Sequence, residues 1–283
     1  MFEKLSVDQV LMKARKHAEK GEVEEAQKLY QTISGSFCKQ AKDVQQRLSV
    51  SNKSKLKNVT QGMIPEIIDQ LSGLYNQGKY LAVVKQAEVC TRRFPESFIF
   101  WHLLGASATK IGMPDKAITA FKKVIFLKPD YADAYNNMGV ALQDQGKLDE
   151  AIDAHKKSIS LNPNYSVAYS NLGNALKDQG KLDKAIEAYN KAILIDPEYT
   201  DGYYNKGNTL KDQGKLDEAI ESYNKTILIN PVYPLVHNNL GNALKDQGKQ
   251  NEAIKAYRKA LFFEPDNAEV HSNLSTILLS SGK

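Results

Sequence analysis

The feature that most constrains the fold of this chain is a fixed spacing of 34 residues. The segment GNALKDQGK occurs at residues 173–181 and again at 241–249, with GVALQDQGK at 139–147 and GNTLKDQGK at 207–215. Alanines and prolines keep the same step: Ala151, Ala185, Ala219 and Ala253; Pro163, Pro197, Pro231 and Pro265. A fixed period of this length indicates stacked supersecondary units.

Each unit contains two helical patterns. The first is an apolar stripe at i, i+3, i+4 and i+7, which in one unit consists of Tyr135, Met138, Gly139 and Leu142. Gly146 follows, where a left-handed residue that ends the helix is favoured. Asp149 and Glu150 open the second helix, where negative charge suits the helix dipole. Pro163 then ends it, because proline cannot donate to the interior hydrogen-bond ladder.

The glycines and lysine of GNALKDQGK also raise the possibility of a phosphate-binding loop. A P-loop has four residues between its glycines and follows a strand. Here six residues separate the glycines, a helix precedes the turn, and the first glycine lies inside that helix. The segment is therefore predicted to have a structural role and not to bind phosphate. Gly139 and Ala151 are expected to be small because two antiparallel helices cross closely there, and larger side chains would overpack the crossing.

Composition excludes several classes of protein. The chain has 283 residues with 42% hydrophobic and 25% charged, which is typical of a globular protein. No apolar run approaches the roughly 20 residues that cross a bilayer, and the start does not resemble a secretory signal. Two cysteines, Cys38 and Cys90, form no disulfide framework, so a reducing, cytoplasmic location is expected.

The net charge of +5 is concentrated in the first 63 residues. Its densest part is SNKSKLKN at 51–58, which contains no aromatic residue for base stacking. This segment is interpreted as a solvated polar linker, and neither nucleic acid nor a membrane is expected as a partner.

The period, the Tyr-x-x-Met/Leu-Gly-x-x-Leu first helix, the small-residue column and the closing proline together resemble the tetratricopeptide repeat. The resemblance implies an all-α, right-handed solenoid of antiparallel helix pairs, with the first helices on the concave face and proteins or peptides as ligands. The expected units are a degenerate helix pair at 1–40, a short helix and basic linker at 41–63, and an array over 64–283. Within the array we expect a degenerate repeat at 64–97, full repeats at 98–131, 132–165, 166–199, 200–233 and 234–267, and a partial or capping helix at 268–283.

Opposite the apolar stripe, each first helix carries a polar stripe. One position is asparagine in five successive units: Asn137, Asn171, Asn205, Asn239 and Asn273. One turn later, asparagine recurs in three units: Asn174, Asn208 and Asn242. Asparagine is a mediocre helix former, so these columns need an explanation. Each amide offers a donor and an acceptor, which suits the main chain of an extended ligand. They are the candidate peptide-binding residues.

The asparagine column resembles the asparagine ladder of the O-linked N-acetylglucosamine transferases, which holds substrate polypeptides by their main chain. Asparagine is also common at this position in tetratricopeptide repeats generally, so a purely structural role stays open. A second family ligand, the carboxylate tail of chaperones, needs basic residues beside the asparagines. The residues found there are Asn136, Ser170, Tyr204 and Asn238. The chaperone tail is therefore disfavoured.

Four aspartates occupy the last turn of the first helices: Asp144, Asp178, Asp212 and Asp246. They could form an acidic rail for Lys or Arg side chains of a ligand. They could instead pair locally with the lysine three residues later in each unit: Lys147, Lys181, Lys215 and Lys249. Local pairing is slightly favoured because surface ion pairs at this spacing are common.

The leading function is a scaffold that binds an extended polypeptide. The alternative is the substrate-recognition arm of a larger transferase whose catalytic domain lies beyond Lys283. A stand-alone enzyme is disfavoured, because the histidines and cysteines form no catalytic motif. No cofactor and no metal are expected, and His237 and His271, which replace tyrosines of the stripe, are interpreted as packing residues.

The C-terminal segment 268–281 repeats the stripe of a first helix, but the second helix that would cover it is missing. Val270, Ile277 and Leu279 add apolar surface there. The segment is therefore expected to be a joint, covered either by further chain or by another copy of the molecule, rather than a finished cap.

Overall fold

The computed structural model describes residues 53–280, with side chains for residues 64–279. Within this part of the chain all regular structure is α-helical. The thirteen helices are α1 Lys53–Asn76, α2 Tyr80–Arg93, α3 Phe98–Lys110, α4 Pro114–Leu127, α5 Ala132–Asp144, α6 Leu148–Leu161, α7 Ser166–Asp178, α8 Leu182–Ile195, α9 Thr200–Asp212, α10 Leu216–Ile229, α11 Pro234–Asp246, α12 Gln250–Phe263 and α13 Ala268–Ser280. The predicted all-helical repeat solenoid is confirmed.

The chain divides into two compact units, Met1–Ile67 and Ile68–Lys283. Most of the first unit, including the helix pair expected at 1–40, lies outside the described residues. Helix α1 begins at Lys53, inside the segment interpreted as a linker, and continues past residue 64. The division of the chain into repeats therefore stays a prediction. Only the second unit is described below.

Glycines end the first helices as the sequence indicates. Gly146 has φ +72°, a conformation that favours a residue without a Cβ. Its N–H donates to the carbonyl of Gln143 at 2.8 Å, and the N–H of Lys147 donates to that of Leu142 at 3.0 Å. These bonds satisfy carbonyls at the helix end. Helix α6 ends at Leu161, two residues before Pro163.

Close packing explains the glycines inside the first helices. A Cβ on Gly173 would lie 2.5 Å from Cε1 of Tyr189 in the second helix of the same unit. The same pairing recurs along the array: Gly105 with Phe121, Gly139 with His155, Gly207 with Tyr223, and Gly241 with Tyr257. The close crossing of the two helices was predicted from the sequence. However, the residue that faces Gly139 is the ring of His155 and not Ala151, which is also buried.

Neighbouring units are joined unevenly. Each second helix packs on the first helix of the next unit, and first helices of successive units also contact each other, whereas second helices of successive units do so far less. The first helices therefore line the inner side of the array, and the second helices form its outer side. At one edge, a turn glutamine of each unit donates to an aspartate of the preceding unit: Gln145 to Asp115, Gln179 to Asp149, Gln213 to Asp183, and Gln247 to Asp217.

The last helix, α13, is better covered than the sequence suggested. Val270 and Ile277 are each only 2% exposed, and both pack on the preceding helix pair. The expectation that they add uncovered apolar surface is wrong, because they lie on the face turned toward α11 and α12. Leu279, in contrast, is 81% exposed. Leu279 is therefore the only one of these three residues that still supports a contact with further chain or another copy at this end. That contact stays a prediction.

Candidate polypeptide-binding surface

The predicted asparagine column lies on the inner first helices. All five of its side chains are half-buried: Asn137, Asn171, Asn205, Asn239 and Asn273. The second set, one turn along, has the same exposure: Asn174, Asn208 and Asn242. Position 140 of the same set is a valine. The two columns therefore run side by side along one surface.

Part of the first column is used to join units. The Nδ2 atom of Asn171 donates to Oδ1 of Asn136 at 3.0 Å, and that of Asn273 donates to Oδ1 of Asn238 at 3.1 Å. The Nδ2 atom of Asn239 donates to the hydroxyl of Tyr204 at 2.9 Å. Each acceptor belongs to the preceding unit, so these amides hold successive first helices in register. Their Oδ1 atoms are left for other donors.

The second column is held from behind by tyrosines. The Tyr189 hydroxyl donates to Oδ1 of Asn174 at 2.8 Å. Two further units repeat the bond at the same length, from Tyr223 to Asn208 and from Tyr257 to Asn242. Burial raises the pKa of Tyr257 to about 12 and also raises that of Tyr189, so both hydroxyls stay protonated donors. The tyrosine fixes the amide with its Nδ2 group left free of this bond.

These bonds correct the expectation that each amide offers both of its ends to a ligand. Asn171, Asn239 and Asn273 use their amide nitrogens within the protein, and the second column uses its amide oxygens. These three asparagines of the first column consequently present acceptors, and the second column presents donors. Side-by-side acceptors and donors of fixed polarity match the alternating N–H and C=O groups of an extended chain.

The four aspartates are exposed, and their pairing differs from the favoured interpretation. Asp212 forms an ion pair at 2.9 Å with Lys177 of the preceding unit. Asp178 accepts a hydrogen bond from Gln143 of the preceding unit at 2.5 Å. Lys215 lies 3.9 Å from Asp183 instead of pairing with Asp212. None of the four aspartates pairs with the lysine three residues later in the described part of the chain. Asp178 and Asp212 have partners one unit away instead.

The contact between Asn136 and His155, beside this surface, was not expected from the sequence. His155 is fully buried, and its Nδ1 lies 3.1 Å from Oδ1 of Asn136. Because an amide oxygen accepts, Nδ1 carries the proton. Burial lowers the pKa of His155 to about 4, so the ring is neutral. The 34-residue period could have indicated the position of this ring, because His155 lies 34 residues before Tyr189.

His237 and His271 have backbone partners. The Nε2 atom of His237 lies 3.2 Å from the carbonyl of Pro231, and that of His271 lies 2.7 Å from that of Pro265. Trp101 uses its ring N–H in the same way, toward Pro95. In the part of the chain that the structure describes, no group of three or more potential ligands could hold a metal ion. No helix there is long and apolar enough to span a bilayer.

The sequence matches models of one repeat family. The model described as TPR repeat matches residues 110–146, 173–214, 207–248 and 241–282. Two models described as tetratricopeptide repeat match residues 132–165 and 156–187. No curated protein matches the sequence.

Solved structures give the same picture. The crystal structure of MamA is 33% identical, covers 59% of this chain and 97% of its own, and has a TM-score of 0.52. TTC0263, a thermophilic TPR protein from Thermus thermophilus, is 21% identical, covers 62% and 96%, and has a TM-score of 0.52. YrrB, described as a TPR protein with an unusual peptide-binding site, is 18% identical, covers 66% and 96%, and has a TM-score of 0.51. The last two show likeness of fold alone.

These matches agree with the helix pairs, the glycine–aromatic contacts and the closing prolines described above. They support a role as a protein-interaction scaffold, the usual non-enzymatic role of such arrays. The chain belongs to the tetratricopeptide repeat family.

Proposed function

We propose that the array binds an extended polypeptide segment along its inner surface, through main-chain hydrogen bonds to the two asparagine columns. The observation that carries this proposal is the opposite orientation of the amides in the two columns. Tyr189 and its counterparts hold the second column by its oxygens, while Asn171, Asn239 and Asn273 of the first column are held by their nitrogens. Amides oriented in this way need no rearrangement when a ligand arrives, which lowers the entropic cost of binding.

The ligand's main chain would be read at both of its polar groups. Its carbonyls would accept from Nδ2 of Asn174 and Asn242, and its N–H groups would donate to Oδ1 of Asn171 and Asn273. An extended chain presents these groups on both sides at about 3.3 Å per residue. Contacts of this kind depend little on side chains, so the ligand's sequence would be only loosely restricted.

Side-chain preference would come from the aspartates. Asp144 and Asp246 are exposed and form no ion pair within the described residues, so each could accept a Lys or Arg side chain of the ligand. A peptide ligand also agrees with the likeness to YrrB, whose description names a peptide-binding site. We therefore infer a preference for basic over acidic segments, of moderate size because exposed ion pairs contribute about 0.2–1 kcal/mol each.

The test is fluorescence-anisotropy titration of a labelled library of unstructured 12-residue peptides, divided into basic, neutral and acidic pools. The wild type should saturate with the basic pool at the lowest concentration. The double variant Asn171→Ala with Asn205→Ala should bind at least about tenfold more weakly, which corresponds to about 1.4 kcal/mol.

The matched control is the double variant Asn190→Ala with Asn224→Ala. These exposed asparagines lie in the same two units, but on the outer second helices. The control should bind like the wild type. The proposal is wrong if the wild type shows no saturable binding, or if both double variants lose binding to the same extent.

A further inference from the structure

Large apolar side chains recur on the outer side of the array. Leu194, Leu228 and Phe262 lie 34 residues apart near the ends of successive second helices, and they are 73%, 74% and 73% exposed. Phe126 occupies the same place two units earlier and is 74% exposed. Ser160 interrupts the series. Single exposed apolar residues are ordinary on a protein surface, whereas these four recur at the same position of the repeat. We name these four apolar residues the outer column.

Charges are segregated along the same helices. A lysine precedes each residue of the outer column, and also Ser160, by one turn: Lys123, Lys157, Lys191, Lys225 and Lys259. Acidic residues occupy the first half of the three central second helices: Asp149, Glu150, Asp153, Asp183, Glu187, Asp217, Glu218 and Glu221. The outer side of these helices is therefore acidic at one end and basic with apolar residues at the other.

A groove lies between α6 and α8 on this face. It has a volume of about 700 Å³, and its apolar lining residues include Ile152 of α6 and Leu172 and Leu176 of α7. Charged residues of both signs, including Asp149 and Lys191, also line it. Such a groove can receive an apolar side chain while its edges pair with charges of either sign.

We propose that the outer column is the contact surface for a second copy of this chain. The occupant must present apolar groups at the repeat spacing, and it must carry acidic groups opposite the lysines and basic groups opposite the aspartates. A second array with its outer helices running antiparallel meets both requirements with the same residues. Self-complementary pairing of this kind is the property of a twofold interface.

The proposed dimer uses a surface on the opposite side from the asparagine columns, and it does not depend on them. Each copy would keep its inner surface open, so one dimer would hold two polypeptide segments. A failure to bind peptides would therefore not contradict the proposed dimer. Likewise, a failure to form dimers would not contradict the proposed peptide binding.

The experiment is sedimentation velocity of the 283-residue chain over a wide concentration range. The wild type should pass from monomer to dimer as its concentration rises. The triple variant Leu194→Glu, Leu228→Glu and Phe262→Glu should shift the dissociation constant upward by at least about a hundredfold. Because the three side chains are largely exposed, circular dichroism should show an unchanged helical content, and peptide binding should persist.

The interruption at Ser160 offers a gain of function. Ser160→Leu fills the gap in the outer column and should tighten the dimer by about threefold to tenfold, since one more apolar side chain is buried. Leu235→Glu is the control, because Leu235 is also exposed, at 49%, but lies on the inner helix α11 and outside the column. It should leave the dissociation constant unchanged.

The proposal is wrong if the wild type stays monomeric at every concentration, or if Leu235→Glu dissociates the dimer as strongly as the triple variant. Flotation with phosphatidylserine vesicles covers the other occupant. A monomer that binds such vesicles through the outer column would assign this surface to an anionic membrane instead of a second copy.

Discussion

The unit at 132–165 and the three units that follow it use different rings to cover the glycine of the first helix. In the later units a tyrosine covers the glycine of the first helix and donates to the adjacent asparagine, as Tyr189 does to Asn174. In the earlier unit His155 covers Gly139, and its polar partner is Asn136, one helical turn before position 140. The residue in place of the asparagine is Val140.

The difference shows that ring and partner change together. An imidazole is too short to reach the position that a tyrosine hydroxyl occupies, so an asparagine there would lose its acceptor bond. The unit at 98–131 follows the same rule, with Phe121 against Gly105 and alanine at position 106. The donor column of the inner surface therefore begins only where the tyrosines begin, and the polypeptide contacts are expected to be densest over 166–267.

Gly173→Ala tests what both kinds of unit share, and it should have the largest effect. The new Cβ would lie 2.5 Å from the Tyr189 ring, and overpacking of this kind costs about 1–3 kcal/mol. Urea unfolding followed by circular dichroism measures the loss. Gly73→Ala is the control, because nothing lies within 4 Å of a Cβ there. An equal loss in both variants would contradict the packing argument.

The dependence of stability on pH should distinguish the histidine unit from the tyrosine units. Burial lowers the pKa of His155 from the ordinary 6.5 to about 4, so the unfolded chain binds this proton first, and stability falls as the pH drops below about 6.5. Between pH 8 and pH 5 the loss from this residue is about 2 kcal/mol.

His155→Phe removes the titrating ring and should remove this part of the loss, while carboxylates contribute equally to both proteins. The measurement is the free energy of unfolding at pH 8 and pH 5 for the wild type and the variant. The buried, neutral histidine is refuted if the two proteins lose stability in parallel.

Tyr189→Phe converts a later unit toward the phenylalanine type. It removes the donor to Asn174 and should lower stability by about 0.5–1.5 kcal/mol. Adding Asn174→Ala should then cost little, because the acceptor has already lost its partner. Tyr169→Phe in the same unit is the control, since its hydroxyl has no hydrogen-bond partner in the described part of the chain. Additive losses in the double variant would show that the bond does not couple the two helices.

The smallest effect concerns the ion pairs between units. Lys177 pairs with Asp212, whereas the corresponding donor one unit earlier is the neutral Gln143 to Asp178. A double-mutant cycle on Lys177 and Asp212 should give about 0.2–1 kcal/mol that fades at high salt. The cycle on Gln143 and Asp178 should be insensitive to salt. If coupling is measured between Asp212 and Lys215 instead, the interpretation of pairing three residues apart is correct and this prediction is wrong.

Much of the fold could be predicted from the sequence, because helix ends and packing glycines depend on backbone geometry that recurs every 34 residues. Gly146 at φ +72° and the helix end before Pro163 are examples. The candidate surface was less accessible. Which end of an asparagine amide is free depends on partners such as Tyr189, 15 residues away, or Asn136, 35 residues away. Periodicity shows that the asparagines align, but it does not give the direction of their amides.

The glutamine–aspartate bonds along one edge have a consequence for how the array loses its structure. Each bond connects a unit only to the one before it, as Gln179 connects to Asp149 at 2.7 Å. Stability in such an array is a sum of terms for each unit and each junction, as in a one-dimensional chain of coupled spins. Melting should therefore proceed from the ends inward, and a weakened junction in the middle should split the transition into two steps.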